Sequence, residues 1–256
     1  MTKLLLLLAL TITFSACGTK KKQDVKLNKH RAFLHAQMGD AHLANRKYPE
    51  ALKEYLNANR LDPQDEKILN SLAIAYYRRG RPDKAKSILK NLLKKHKNYT
   101  EAKINLGRIL VETGEYDKSI EIFKTAADDL TYPHPEKYHT NYGLAYFQLN
   151  QFEDANKQFA LAIQSNRNYC PALSSYARSQ YFLKNHTTAE PMFEKAQAKC
   201  WKSAERDEIL YYSGLNFIQL GKNQKAKERL KFLVRKSKDK KTIEKSKKAL
   251  SLLDLN

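Results

Sequence analysis

The sequence predicts an all-α fold, a right-handed superhelical solenoid of six two-helix repeats closed by a C-terminal capping helix. Three observations predict it. Small residues recur at Gly39, Ala73, Gly107, Gly143, Ala177 and Gly214, with spacings of 34, 34, 36, 34 and 37 residues, and a steady period of this length marks stacked repeats. Twelve residues after each anchor stands a second small residue (Ala51, Ala85, Ser119, Ala155, Ala189, Ala226), and four beyond that a large apolar one (Tyr55, Leu89, Phe123, Phe159, Phe193, Leu230). Finally, seven of the eight glycines occupy just two places in the period, the anchor itself or the turn marked by Gly80, Gly114 and Gly221. Glycine costs about 1 kcal/mol inside a helix, so at the anchor it implies close packing against a neighbour. At the turn it supplies a left-handed cap.

Period and residue types together match the tetratricopeptide repeat, a pair of antiparallel helices of about 34 residues. The elements follow in order. Residues 1–16 read as a signal peptide: Lys3, an apolar run from Leu4 to Leu10 too short to span a bilayer, then small and apolar residues up to Ala16. The ending Phe14-Ser15-Ala16-Cys17 resembles a bacterial lipobox. Cys17 is therefore the expected lipidation site, with Phe14 where Leu is usual. Several acyl chains, at roughly 0.8 kcal/mol per buried CH₂, hold a protein firmly in a membrane. Gly18 after the cysteine leans, by analogy, towards the outer membrane.

Residues 17–31 form an expected basic, flexible tether with Lys20, Lys21, Lys22, Lys26 and Lys29. The six repeats are expected at 32–65, 66–99, 100–133, 136–169, 170–203 and 207–240. Pro133 and Pro135 break the period once, Ala204 to Arg206 a second time. Residues 241–256 hold the capping helix, Thr242 to Leu253, which covers the apolar face that an end repeat would expose.

Lys and Arg outnumber Asp and Glu by 47 to 27, a net charge of +20. Such a charge first suggests nucleic acid, but an exported chain does not meet it. The positive charge instead belongs to solvated helix faces or to contacts with anionic lipid or an acidic partner. It is concentrated between Lys222 and Lys248, with 13 basic and 3 acidic residues, and between Arg78 and Lys97, with 9 and 1. No nucleophile motif, phosphate loop or zinc-ligand spacing is present, so neither enzymatic activity nor a cofactor or metal is expected. His35, His42 and His139 read as packing and helix-contact residues.

With Cys17 acylated, Cys170 and Cys200 remain. An even count in an oxidising compartment suggests pairing, and their places at the start of one helix and the end of its antiparallel partner make them neighbours; two buried free thiols are the alternative. The expected working surface is the concave groove lined by the first helices: Asn70, Ile74, Tyr77, Ile104, Arg108, Leu144, Phe147 and Tyr181. An exposed stripe of apolar and aromatic side chains suits an extended or helical peptide, with Arg108 and Asn70 for backbone or carboxylate contacts. The alternative is that some of these residues fill a tightly wound superhelix.

The lipobox, basic tether and six repeats resemble the type IV pilus biogenesis lipoproteins of the PilF/PilW/Tgl pilotin family. Thr131-Tyr132-Pro133, Asn141-Tyr142-Gly143, Asn168-Tyr169-Cys170-Pro171-Ala172 and Cys200 carry the more specific likeness, although Arg46 and Asn150 stand in place of the turn glycine. The resemblance implies a Cys170–Cys200 disulfide and a non-enzymatic, lipid-anchored protein of the outer membrane facing the periplasm. It also implies a partner, the type IV pilus secretin, whose subunits it binds so that they reach the outer membrane and multimerise. A different function on the same lipid and groove is an adaptor for cell-wall enzymes or for outer-membrane protein assembly.

Overall fold

The computed structural model describes the backbone of residues 2–127, 129 and 131–254, and the side chains of residues 23–127, 129 and 131–253. The side chains of the expected signal peptide and of Cys17 lie outside the described residues. Among the described residues there are thirteen helices and no strand. They fall into two compact units, Met1–Ile109 and Leu110–Asn256.

The first unit contains α1 (Thr2–Ala44), α2 (Tyr48–Leu61), α3 (Glu66–Arg78), α4 (Pro82–Lys95) and most of α5 (Thr100–Glu112). Pro49 and Pro82 sit in the first turns of α2 and α4, where a missing N–H leaves no bond unmade. The Asp65 carboxylate caps α3 by accepting from the Ile68 N–H at 2.9 Å. Packing follows the period: Tyr55 is buried against Gly39, and its hydroxyl donates to Asp40 at 2.6 Å. One expectation is corrected here. Residues 23–31 form part of α1 instead of a flexible tether, and α1 enters the first repeat without a break. No Gly or Pro lies between Gly18 and Gly39, and Lys, Leu, Gln and Ala are all good helix formers. Ala32, 1% exposed, packs with Ala58 and Ile68 and fixes this stretch to the repeat.

The second unit contains the end of α5, then α6 (Tyr116–Lys124), α7 (Pro135–Gln148), α8 (Phe152–Ser165), α9 (Cys170–Phe182), α10 (His186–Cys200), α11 (Arg206–Gln219), α12 (Asn223–Lys236) and α13 (Lys240–Asp254). α6 has only nine residues. The chain beyond it turns on Asp129, which accepts from the Thr131 N–H at 3.0 Å, and reaches α7 through Pro133. Tyr138 and Tyr142 of α7 close over Phe123, with ring centroids 6.0 and 5.4 Å away. Cys170 and Cys200 are joined by a disulfide, their Cα atoms 5.6 Å apart. α13 starts at Lys240, ahead of the expected Thr242. Asp239 sets this start by accepting from the Thr242 N–H and hydroxyl at 3.0 and 2.6 Å, bonds that hold its carboxyl below the ordinary range. Ala249 and Leu253 of α13 then cover Phe217, Ala226 and Leu230.

In every repeat the turn between the two helices carries one left-handed residue: Arg46 (φ 57°), Gly80 (72°), Gly114 (82°), Asn150 (60°), Lys184 (62°) and Gly221 (70°). Each lies seven residues after its anchor. Arg46 and Asn150 thus hold the conformation whose glycine they lack, and so does Lys184, which the sequence does not mark. His35 and His139, at equivalent places in repeats one and four, each bridge to the second helix: His35 Nδ1 to Glu54 Oε2 at 2.6 Å and His139 Nδ1 to Gln158 Oε1 at 2.9 Å.

Candidate protein-binding surfaces

In the first unit α3 and α5 present Ile74, Tyr77 and Arg108, all half-exposed. The Arg108 guanidinium lies 5.4 Å from the centre of the Tyr77 ring, close enough for a cation–π contact. Burial, and then the nearby positive charge of Arg78, lower its pKa to about 10. An anionic group brought to this guanidinium would relieve both effects.

Two residues expected on this surface are not there. Asn70 and Ile104 are each 4% exposed. They lie seven residues, about 10 Å, before Tyr77 and Val111 on the same helices, at a level where the neighbouring first helix comes close. Asn105 Nδ2 reaches Asn70 Oδ1 at 3.0 Å, so this Asn joins repeats instead of facing a ligand. The equivalent Ser174 is buried beneath Glu208 of α11, at 3.3 Å. The filling alternative therefore holds for the start of the first helices of repeats two to five, where Asn70, Ile104, Thr140 and Ser174 are buried, and not for their second halves.

In the second unit Leu144, Phe147 and Tyr181 are half-exposed. Phe147 and Tyr181 converge on Phe182, at 5.5 and 5.4 Å between ring centroids. Phe182, 38% exposed, also stacks on Phe152 at 5.2 Å and meets Tyr212 at 5.7 Å. This is an aromatic surface drawn from α7, α8, α9 and α11. Arg178 backs it: the guanidinium lies 4.3 Å from the centre of the Phe147 ring and forms an ion pair with Glu208. Burial pushes the Arg178 pKa down and the Tyr181 and Tyr212 phenols up, so both tyrosines stay neutral hydroxyls at ordinary pH. The sequence missed Phe152, Phe182 and Tyr212 because none falls on the first-helix stripe. The adjacent pairs Tyr181-Phe182 and Tyr211-Tyr212 were the available sign. Among the described residues, no group of three His, Cys, Asp or Glu side chains could hold a metal ion.

Tetratricopeptide-repeat family models match residues 39–80, 78–131 and 136–169. Among curated proteins, the BBSome complex member BBS4 of Bos taurus is 34% identical over 110 residues, which are 43% of this chain and 20% of BBS4. Tetratricopeptide repeat protein 21A of Mus musculus is 28% identical over 96 residues, 38% of this chain and 7% of its own. The matches thus span a fifth or less of these relatives. Among solved structures, Pseudomonas aeruginosa PilF superposes with a TM-score of 0.75 at 17% identity, covering 87% of this chain and 99% of PilF. PilW, a widely conserved type IV pilus biogenesis factor, gives 0.76 at 21% identity, covering 83% of this chain and 96% of PilW. The chain is built of tetratricopeptide repeats, in a fold that it shares with PilF and PilW.

Proposed function

We propose that this chain is a non-enzymatic lipoprotein of the outer membrane, anchored through Cys17, that binds secretin subunits and promotes their localisation and multimerisation in type IV pilus biogenesis. The observation that carries the reading is the aromatic surface of Phe147, Tyr181 and Phe182. Large rings left at the surface and rimmed by polar groups are what a peptide-binding protein needs at its contact. The likeness to PilF and PilW over almost their whole length supports a pilus role, as do the lipobox and the residues from Thr131 to Cys200. Held at the membrane by its lipid, the protein takes an apolar secretin segment against these rings and keeps the subunit from aggregating until the ring assembles.

Deleting the gene tests the role. Secretin multimers should fall while monomer persists, and a normal multimer level overturns it. The anchor is tested by palmitate labelling, which Cys17→Ser should abolish.

A further inference from the structure

α10 leads into α11 through Trp201, the single tryptophan of the chain, which directly follows the disulfide-bonded Cys200. It stays 42% exposed. Its indole leans on Phe232 of α12 with ring centroids 5.3 Å apart, and the Arg206 guanidinium lies 5.9 Å from it. The two rings border an open cleft of about 330 Å³ floored by Leu210 and Phe217, with Glu194 and Glu228 among its rim residues. On α12, Lys225, Lys231, Arg235 and Lys236 are exposed on either side of Phe232, in a segment where 13 basic residues face 3 acidic ones.

An indole and a phenyl ring at the surface, set among long cationic side chains, form a combination suited to the boundary between water and lipid. The ring sits at headgroup depth with its N–H still bonded. Each lysine near an anionic leaflet strengthens binding about fivefold. A lipid surface fits better than an acidic protein. Specific carboxylate recognition favours arginine forks, yet Arg229 is already taken by Glu194 at 2.9 Å and Arg235 turns its Nε to the Lys231 carbonyl at 3.4 Å. The remaining lysines are spread along α12, about 16 Å from Lys225 to Lys236, as a broad field of phosphates requires. We propose that Trp201, Phe232 and the lysines of α12 form a docking surface for anionic phospholipid bilayers, separate from the acyl anchor and from the aromatic peptide surface.

The single tryptophan makes the test local. The full-length, unacylated chain is mixed with phosphatidylcholine vesicles, with and without a third phosphatidylglycerol, and Trp201 emission is recorded. A blue shift and quenching by brominated lipid are expected on the anionic vesicles alone, and both should be lost at high salt. Lys231→Glu/Lys236→Glu/Arg235→Glu together should weaken the effect by about a hundredfold or more, with circular dichroism and melting unchanged because all three side chains are exposed. Emission that ignores phosphatidylglycerol, or a triple variant that responds like the parent, overturns the proposal. So does a soluble polyglutamate that shifts Trp201 where the vesicles do not.

Discussion

The Phe159 ring fills the space that a side chain at position 143 would need: a β-carbon built on Gly143 would lie 2.6 Å from Phe159 Cε1. The same pairing, sixteen residues apart, sets Gly39 against Tyr55 at 2.7 Å and Gly214 against Leu230 at 3.1 Å. Gly143→Ala should therefore cost about 2 to 3 kcal/mol, as overpacking of a closed core does. Gly214→Ala should cost less, because the Leu230 methyls can move. Denaturant unfolding of the two variants checks the order, and equal losses would contradict it.

Lys184 adopts φ 62° where glycine would meet no strain. A left-handed residue with a side chain costs about 1 to 2 kcal/mol, and glycine gives back roughly 0.5 to 1 in chain entropy. Lys184→Gly should thus raise stability by about 0.5 to 1 kcal/mol and lift the melting temperature by a few degrees. Thermal melts of the purified variant decide it.

The Cys170–Cys200 bond spans 30 residues. A loop of that size is worth about 3.6 kcal/mol in the chain-entropy model. The double variant Cys170→Ala/Cys200→Ala should lose roughly that much, and a reducing agent should lower the melting temperature of the parent and not of the variant.

Tyr55 is held protonated above the ordinary tyrosine range by burial first, then by its hydrogen bond to Asp40 and the charge of that carboxylate. Its native pKa exceeds the unfolded value of about 10, so its contribution is complete below pH 10 and is lost as pH rises beyond it. Tyr99 and Tyr142 shift in the same direction, again chiefly by burial. Melting temperature should fall steeply above pH 10. In Tyr55→Phe the fall should be shallower, after a loss of about 1 kcal/mol at neutral pH from the missing hydrogen bond.

Phe182→Ala and Tyr181→Ala should weaken capture of purified secretin fragments by about thirtyfold or more, as truncation of central aromatic anchors does. Asn70→Ala should act through stability, leaving the affinity of the folded fraction unchanged. Surface plasmon resonance beside a melting curve separates the two, and a binding loss confined to Asn70→Ala would reverse the assignment.

The repeat was legible because a steric rule wrote it into the sequence: a small anchor, Gly or Ala, faces a large apolar residue sixteen positions later in every repeat, and at Gly39, Gly143 and Gly214 the large side chain fills the space that a β-carbon would need. The groove was legible only in part. Tyr77 and Phe147 could be placed by register alone, but the burial of Asn70 depends on how closely Asn105 approaches from another repeat, a distance that periodicity does not contain. Phe152 and Phe182 escaped for a related reason, since they meet across different helices and share no spacing. Lys184 was hidden because its conformation is imposed by the turn and not by its own chemistry.

The unbroken α1 has a mechanical consequence. A flexible leash lets a domain wander and reorient beneath its attachment point, whereas a helix transmits both height and bearing. From Gln23 to Ala32 the axial distance is set by the rise of about 1.5 Å per residue, and each residue added or removed there would swivel the first unit by about 100°. If the chain hangs from its N-terminal end, the direction in which the Tyr77 and Arg108 surface of the first unit looks is written into the number of residues between the anchor and Ala32, as the pitch of a screw thread fixes where its slot points.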